Sequence, residues 1–406
     1  MKSSLERARN ILASSPLVDG HNDLPWAMRY LAAYDLEKVD PGKRVEKTHT
    51  DLPRLREGGV GAQFWSVYVP SSLPGDTAVT ATLEQIDFVH QLIAWLPDDL
   101  QLALTADDVT RAFGSGKIAS LLGAEGGQSI ACSMGALRSL YALGVRYMTL
   151  THNDNVPWAD SATDEPSAGG LSGFGREVVR EMNRLGMLVD LSHVAASTMN
   201  DALDVSEAPI IFSHSSCRAL TDHPRNVPDY VLRMLSENGG VCMLTFVPAF
   251  VSQLCRTWEQ ERKDVVSSQG LDPEDPEYQT VRRSIAEDFA KSSPRPRATI
   301  EDVVAHIEHA REVAGADHIG LGGDFDGTDA LPDGMHDVSC YPVLIAALLE
   351  RGWSEKDCKA LTGGNALRAM REAESVAARL QKERSPSVAR LEDFTTQSDA
   401  AADDDL

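Results

Sequence analysis

Basic residues are scarce in this chain. Lys and Arg number 38 against 61 Asp and Glu, a formal net charge of -23. A nucleic-acid binder needs a basic footprint to neutralise phosphates, and an anionic bilayer repels such a chain, so charge argues against both partners. Long apolar runs are missing too. No stretch approaches the roughly 18 residues that suggest a transmembrane helix. The N-terminus, Met1-Lys2-Ser3-Ser4-Leu5-Glu6-Arg7-Ala8-Arg9-Asn10, is charged throughout and has no signal-peptide apolar core. Paired cysteine motifs are also lacking. Cys132, Cys217, Cys242, Cys255, Cys340 and Cys358 are scattered, with no Cys-x-x-Cys. Free buried thiols in a reducing cytoplasm are expected rather than a disulfide framework. No internal repeat is found.

What the chain does have is apolar content, 42% over 406 residues, enough for a large core. The length is high for one domain but ordinary for an α/β barrel. Strand-like runs lie at 16–23, 60–69, 118–125, 145–152, 187–193, 209–214, 241–247 and 318–324. Helical segments at 79–96, 133–143, 172–186, 195–203, 229–238, 299–314, 340–351 and 354–371 mostly separate them. Eight alternations predict an α/β fold, a TIM-like (β/α)8 barrel that occupies 1–385 as one domain. A charged insertion at 252–298, partly helical, carries turn signals at Asp272-Pro273 and Pro294-Arg295-Pro296. The acidic tail, 386–406, has little apolar content and is expected to be disordered.

Barrels of this kind carry their active sites at the C-terminal ends of the strands. His21 and Asp23 stand two apart at the end of the first run and can aim at one point, a nitrogen and a carboxylate that suit zinc. Glu125, His152, His193, His214 and Asp324 end later runs. A lone strand-end histidine is usually a structural cap, and a lone Glu beside glycines an exposed turn. Seven such residues on one barrel mouth are a different matter. Three histidines and two carboxylates suffice for two metal ions if one carboxylate bridges, and a further carboxylate can carry the proton. Asp324 lies in Gly322-Gly323-Asp324-Phe325-Asp326-Gly327, which has neither the acidic order of an EF-hand nor the helix start of a dinucleotide loop. His306 and His309 stand three apart on a charged helix and read as a solvated face.

Several stretches together resemble the membrane (renal) dipeptidase family of zinc peptidases. They are Val18-Asp19-Gly20-His21-Asn22-Asp23-Leu24-Pro25-Trp26, Glu125-Gly126-Gly127, Thr151-His152, Asn155-Val156-Pro157-Trp158, Asp190-Leu191-Ser192-His193, Ser213-His214-Ser215-Ser216, Arg225-Asn226-Val227-Pro228-Asp229 and the Asp324 segment. The resemblance implies an amidohydrolase-like barrel with two zinc ions per chain. By it, His21 and Asp23 hold one zinc, His193 and His214 the other, and Glu125 bridges them. It further implies that His152 contacts the substrate carbonyl and its oxyanion, that Arg225 holds the free carboxylate, and that Asp324 is general base and acid. The implied reaction is hydrolysis of a dipeptide's peptide bond by a metal-bridged hydroxide, with C-terminal D-residues among the substrates of some relatives. The partners expected are a small dipeptide and, as an open alternative, a second copy in a homodimer. Departures from mammalian members are the missing signal peptide and lipid-anchor tail, and Asn153-Asp154 where those relatives carry a cysteine. Two other readings stay open. One is another binuclear amidohydrolase acting on a cyclic or linear amide, although such enzymes usually open with His-x-His. The other is a catalytically silent metal-binding barrel.

Overall fold

The apolar runs become parallel strands. A computed structural model describes residues 3–270 and 278–394. In chain order the strands are β1 (Leu17–Asn22), β2 (Val60–Tyr68), β3 (Leu100–Leu102), β4 (Ile118–Glu125), β5 (Val145–Thr149), β6 (Leu188–Asp190), β7 (Ile211–Ser215), β8 (Val241–Leu244) and β9 (Ile319–Leu321). β1, β4 and β5 are buried along their whole length, as strands covered on both faces must be. All but β3 close a parallel ring, through the β1–β9 and β2–β4 pairings. Helices between the strands pack around it. The chain is therefore the eight-stranded TIM-like barrel the alternation predicted.

β3 is an addition to that expectation. It pairs only with the start of β4, Leu100 beside Ile118 and Leu102 beside Ser120. β5 joins β4 only from Leu122, so β3 covers an edge that would otherwise stand open. Three residues are too few to show a period. The helix after it, Ala106–Gly114, did leave a signal: Thr105 and Asp108 form its capping box.

Inside the ring, Tyr147 is fully buried and leans across the barrel. Gly123 gives it room, since a Cβ there would overlap the phenol ring. The charged insertion is largely helical, with helices Gln253–Ser267 and Tyr278–Ser292. Trp258 ties it together: its indole N–H donates to the Ser293 carbonyl at 2.7 Å, and its ring meets Phe289. The Asp272-Pro273 turn signal lies outside the described residues, as does 395–406 of the acidic tail. Ahead of that point Ser387 is docked, its carbonyl accepting from Arg138 at 2.9 Å and its N–H donating to Glu181 at 3.2 Å. Among the described residues no helix is long and apolar enough to cross a membrane.

His306 corrects the sequence reading. It is not on a solvated face but buried, 1% exposed. Its Nδ1 accepts the Cys217 N–H at 3.0 Å and its Nε2 meets the Thr221 hydroxyl at 3.3 Å. His309, partly exposed, pairs with Asp229 at 2.8 Å.

Candidate metal centre

Each candidate ligand sits where a strand stops. His21 is on β1, and Asp23 follows it at the start of helix Leu24–Ala32. Glu125 is the last residue of β4 and His214 lies within β7. His193 and Asp324 lie just past β6 and β9, and both hold left-handed backbones, φ 70° and 59°. Such a backbone costs about 1–3 kcal/mol in a residue other than glycine and persists where the surroundings dictate it.

The cluster centres on Glu125, whose two oxygens face different groups. Oε2 lies 3.4 Å from His21 Nε2, which in turn is 3.3 Å from Asp23 Oδ2. Oε1 lies 3.0 Å from His193 Nε2 and 3.6 Å from His214 Nε2. His193 and His214 bring their Nε2 atoms to 3.0 Å of each other. Ligand atoms about 2.0–2.2 Å from one tetrahedral cation stand roughly 3.3 Å apart, so these separations fit donors that share an ion. Among the described residues the buried Nε2 of His21 faces the Asp23 and Glu125 carboxylates without a well-aligned hydrogen bond to either, as a ligand nitrogen would be left. His152 reaches the same centre, 3.9 Å from Glu125 Oε1. Asp324 comes within 4.8 Å of the ligand atoms of His21 and Asp23. All seven strand-end residues of the sequence reading therefore meet at one place.

The protonation states of Glu125, His193 and His214 suit cation binding, while His21 holds a proton that a cation would have to displace. Burial pushes His193 and His214 well below the ordinary imidazole range, and the positive charge of Arg225 adds to it. Both are thus neutral, the ligand form. Burial opposes ionisation of Glu125, but His21 and His193 outweigh it and hold the carboxyl well below its usual range. Burial likewise opposes charge on His21, and Tyr147, Glu125 and Asp23 overcome it, raising that imidazole well above its usual value.

A supporting layer escaped the sequence reading. Tyr147 Oη lies 2.8 Å from His21 Nδ1, which leaves Nε2 for the centre. Ser213 Oγ donates to Asp190 at 2.6 Å and lies 2.8 Å from His214 Nδ1, so a carboxylate orients that imidazole through a hydroxyl. Asp190 also accepts the Thr149 hydroxyl at 2.5 Å and two backbone N–H groups. Asp19 ties β1 to the Asp324 segment, accepting from Tyr341 at 2.7 Å and the Gly323 N–H at 3.0 Å. An acid inside an apolar strand was the available signal for Asp19 and Asp190. A lone tyrosine such as Tyr147 offers none. Tyr147→Phe keeps the packing and removes the His21 contact. Metal affinity should fall about 10–100-fold, the usual effect of losing such a partner, as read by competition with a chelator. Unchanged affinity would make the tyrosine a packing residue only.

The centre opens into a cavity of about 530 Å³. Trp26 and Tyr68 line part of its wall, and Arg225, His223 and Phe250 another part. Arg225 is only 3% exposed, and burial pushes its guanidinium down to about 10, still charged at neutral pH. Its Nη2 donates to the His214 carbonyl at 3.5 Å, its guanidinium lies over Phe250, and among the described residues its Nη1 has no hydrogen-bond partner. The surface ion pair that Asp222 or Asp229 could have offered is not made; Asp229 pairs with His309 instead.

Comparison with known proteins agrees with this geometry. The family model for membrane dipeptidases, peptidase family M19, matches residues 5–384. Dipeptidase verJ of Clonostachys rogersoniana is 42% identical over 393 residues, covering 94% of this chain and 90% of that protein. In fold, the chain resembles the probable dipeptidase PvdM from Pseudomonas aeruginosa, with a TM-score of 0.82 at 24% identity, over 92% of this chain and 99% of that one. It also resembles a metallopeptidase from Rhodobacter sphaeroides, solved with a phosphinate mimic of L-Ala-D-Ala, with a TM-score of 0.72 at 23% identity, over 88% and 99%. A family match over nearly the whole chain, on a barrel whose mouth gathers histidines and carboxylates fit for metal, leaves one assignment: the chain belongs to the membrane dipeptidase family and is a metal-dependent hydrolase of dipeptides.

Proposed function

We propose that the chain cleaves the single peptide bond of a dipeptide with two zinc ions held side by side. The observation that carries this reading is Glu125, with one oxygen toward His21 and Asp23 and the other toward His193 and His214. In this reading His21 and Asp23 hold one ion, His193 and His214 the second, and Glu125 both. Divalent ions there would polarise the scissile carbonyl and acidify water. His152, at the edge of the cluster, would donate to the carbonyl oxygen as it gains charge. Asp324 would take the nucleophile's proton and return it to the leaving amine. All six cysteines are free and five are buried, which supports a reducing, cytoplasmic setting. The L-Ala-D-Ala mimic bound by the Rhodobacter sphaeroides protein supports extending the substrates to C-terminal D-residues. Zinc reconstitution should give about two equivalents per chain, as a two-metal site requires. One tight equivalent in fully active protein would sink the binuclear reading.

Arg225 explains why cleavage would stop at dipeptides. A guanidinium fork binds a carboxylate through parallel hydrogen bonds. If Arg225 holds the C-terminal carboxylate, only one residue fits beyond the scissile bond, and a longer peptide would set an uncharged amide there. Arg225→Met should cost roughly 2–5 kcal/mol in kcat/KM, the range for removing one partner of a buried charge pair. A C-terminally amidated dipeptide should be a poor substrate for the unmutated enzyme and should suffer far less from the mutation. Equal losses on free and amidated forms would show that Arg225 does not read the carboxylate.

A further inference from the structure

The insertion after β8 brings to the cavity the charge this acidic chain otherwise lacks. Arg262 and Lys263, from helix Gln253–Ser267, and Arg295, beyond helix Tyr278–Ser292, line the same cavity as Arg225. Two of the three are already matched. Lys263 pairs with Glu259 at 3.0 Å and Arg295 with Asp329 at 2.9 Å. Arg262 is different. Among the described residues it meets no carboxylate, and its guanidinium lies over the Trp258 ring, 5.5 Å from the centroid. Stacking on an aromatic face leaves the in-plane N–H groups of an arginine free for a ligand. Trp258 is itself fixed by its bond to Ser293, so the half-buried Arg262 is held in place before any ligand arrives.

The helix that carries Arg262 lines the same cavity as the carboxylate site. Phe250 stacks under Arg225 and against His223, its centroid 4.4 Å from that ring. His223 is pushed down to about 2, by burial first and then by Arg256, Arg225 and Lys263 around it. Both Arg225 and the insertion helix thus act on one electropositive corner. A dipeptide whose C-terminal carboxylate sat at Arg225 would place that residue's side chain inside this cavity, which Arg262 also lines.

We propose that Arg262 reads an acidic side chain on the C-terminal residue, so that dipeptides ending in Asp or Glu are preferred to their amide counterparts. The inference rests on the reading of Arg225 as the carboxylate site. Ala-Glu and Ala-Gln differ by one charge and hardly in shape. Between a solvated ion pair and a fully charge-assisted hydrogen bond lies an advantage of about tenfold in kcat/KM for Ala-Glu. It should appear in KM rather than kcat, because the contact is remote from the bond that breaks. Added salt should narrow it. Arg262→Gln should lower efficiency on Ala-Glu about tenfold and on Ala-Gln far less. Zinc-loaded enzyme and variant are to be compared on both dipeptides and on amidated Ala-Gln. Equal efficiency on Ala-Glu and Ala-Gln, or a Glu preference that survives in Arg262→Gln, overturns the inference. If free and amidated Ala-Gln are cleaved equally well, the carboxylate reading of Arg225 has failed, and the inference with it.

Discussion

Glu125→Gln is expected to lose metal from both positions and nearly all turnover. Among the described residues Glu125 lies near His21, His193 and His214 together, with Oε2 toward His21 and Oε1 toward His193 and His214. The carboxylate is held in place, since the Ser66 hydroxyl donates to Oε2 at 3.0 Å. Glutamine keeps the shape, yet it removes the negative charge and turns a donor NH₂ toward one of the two groups. A cation there would meet a dipole repelling it on one side and a weak carbonyl ligand on the other. The surrounding histidines cannot compensate, because burial keeps His193 and His214 neutral. Turnover should fall by at least ~10³-fold, since the acceleration that bound metal supplies is forfeited. Metal content and turnover are measured on the same preparation, with circular dichroism as the check that the barrel is intact. Full activity with even one retained equivalent would defeat the bridging role.

The candidate ligands were legible as a cluster because of where they stand. Apolar runs of the right length stop at Glu125, His152, His193, His214 and Asp324, and a barrel places strand ends on one mouth. The layer behind them was not legible. Tyr147, Asp190 and Ser213 lie on strands and are wholly buried, and only their partners across the barrel give them a role. His306 was misread for the same reason. Its partners, Cys217 and Thr221, are 89 and 85 residues away in sequence, so nothing near it announces burial. β3 escaped notice because three residues carry no period. Arg225 stands close in sequence to Asp222 and Asp229, so the sequence by itself equally allowed a surface salt bridge, which is worth little. The absence of a pairing with Asp222 or Asp229 and the buried, unpartnered Nη1 favour the binding role. Short-range pattern gave the elements and the strand-end cluster, while contacts between distant strands decided what orients its side chains.

Asp324→Asn separates the proton carrier from the metal ligands. The carboxyl sits just past β9, on a left-handed backbone of φ 59° that asparagine tolerates well. The substitution therefore tests charge with little backbone cost. Burial raises this carboxyl well above its usual range; the His21 charge opposes that, and Asp23 and Glu125 reinforce it. A carboxyl raised toward neutrality is suited to accept a proton and give it back. Its place is guarded by Gly327, where a Cβ would overlap Oδ1 of Asp324 and Oδ2 of Asp23 together. Asp324 also stands close enough to His21 and Asp23 to serve as a third ligand of that group. The variant distinguishes the two roles. A proton carrier predicts full metal content with kcat lowered by about 10²–10⁴-fold, the usual contribution of general acid–base catalysis. A ligand predicts loss of metal from the His21 and Asp23 position along with activity. Near-normal turnover in metal-loaded Asp324→Asn would remove the residue from the chemistry altogether, and His152, a titratable group 3.9 Å from Glu125, would be the next residue to test as proton carrier.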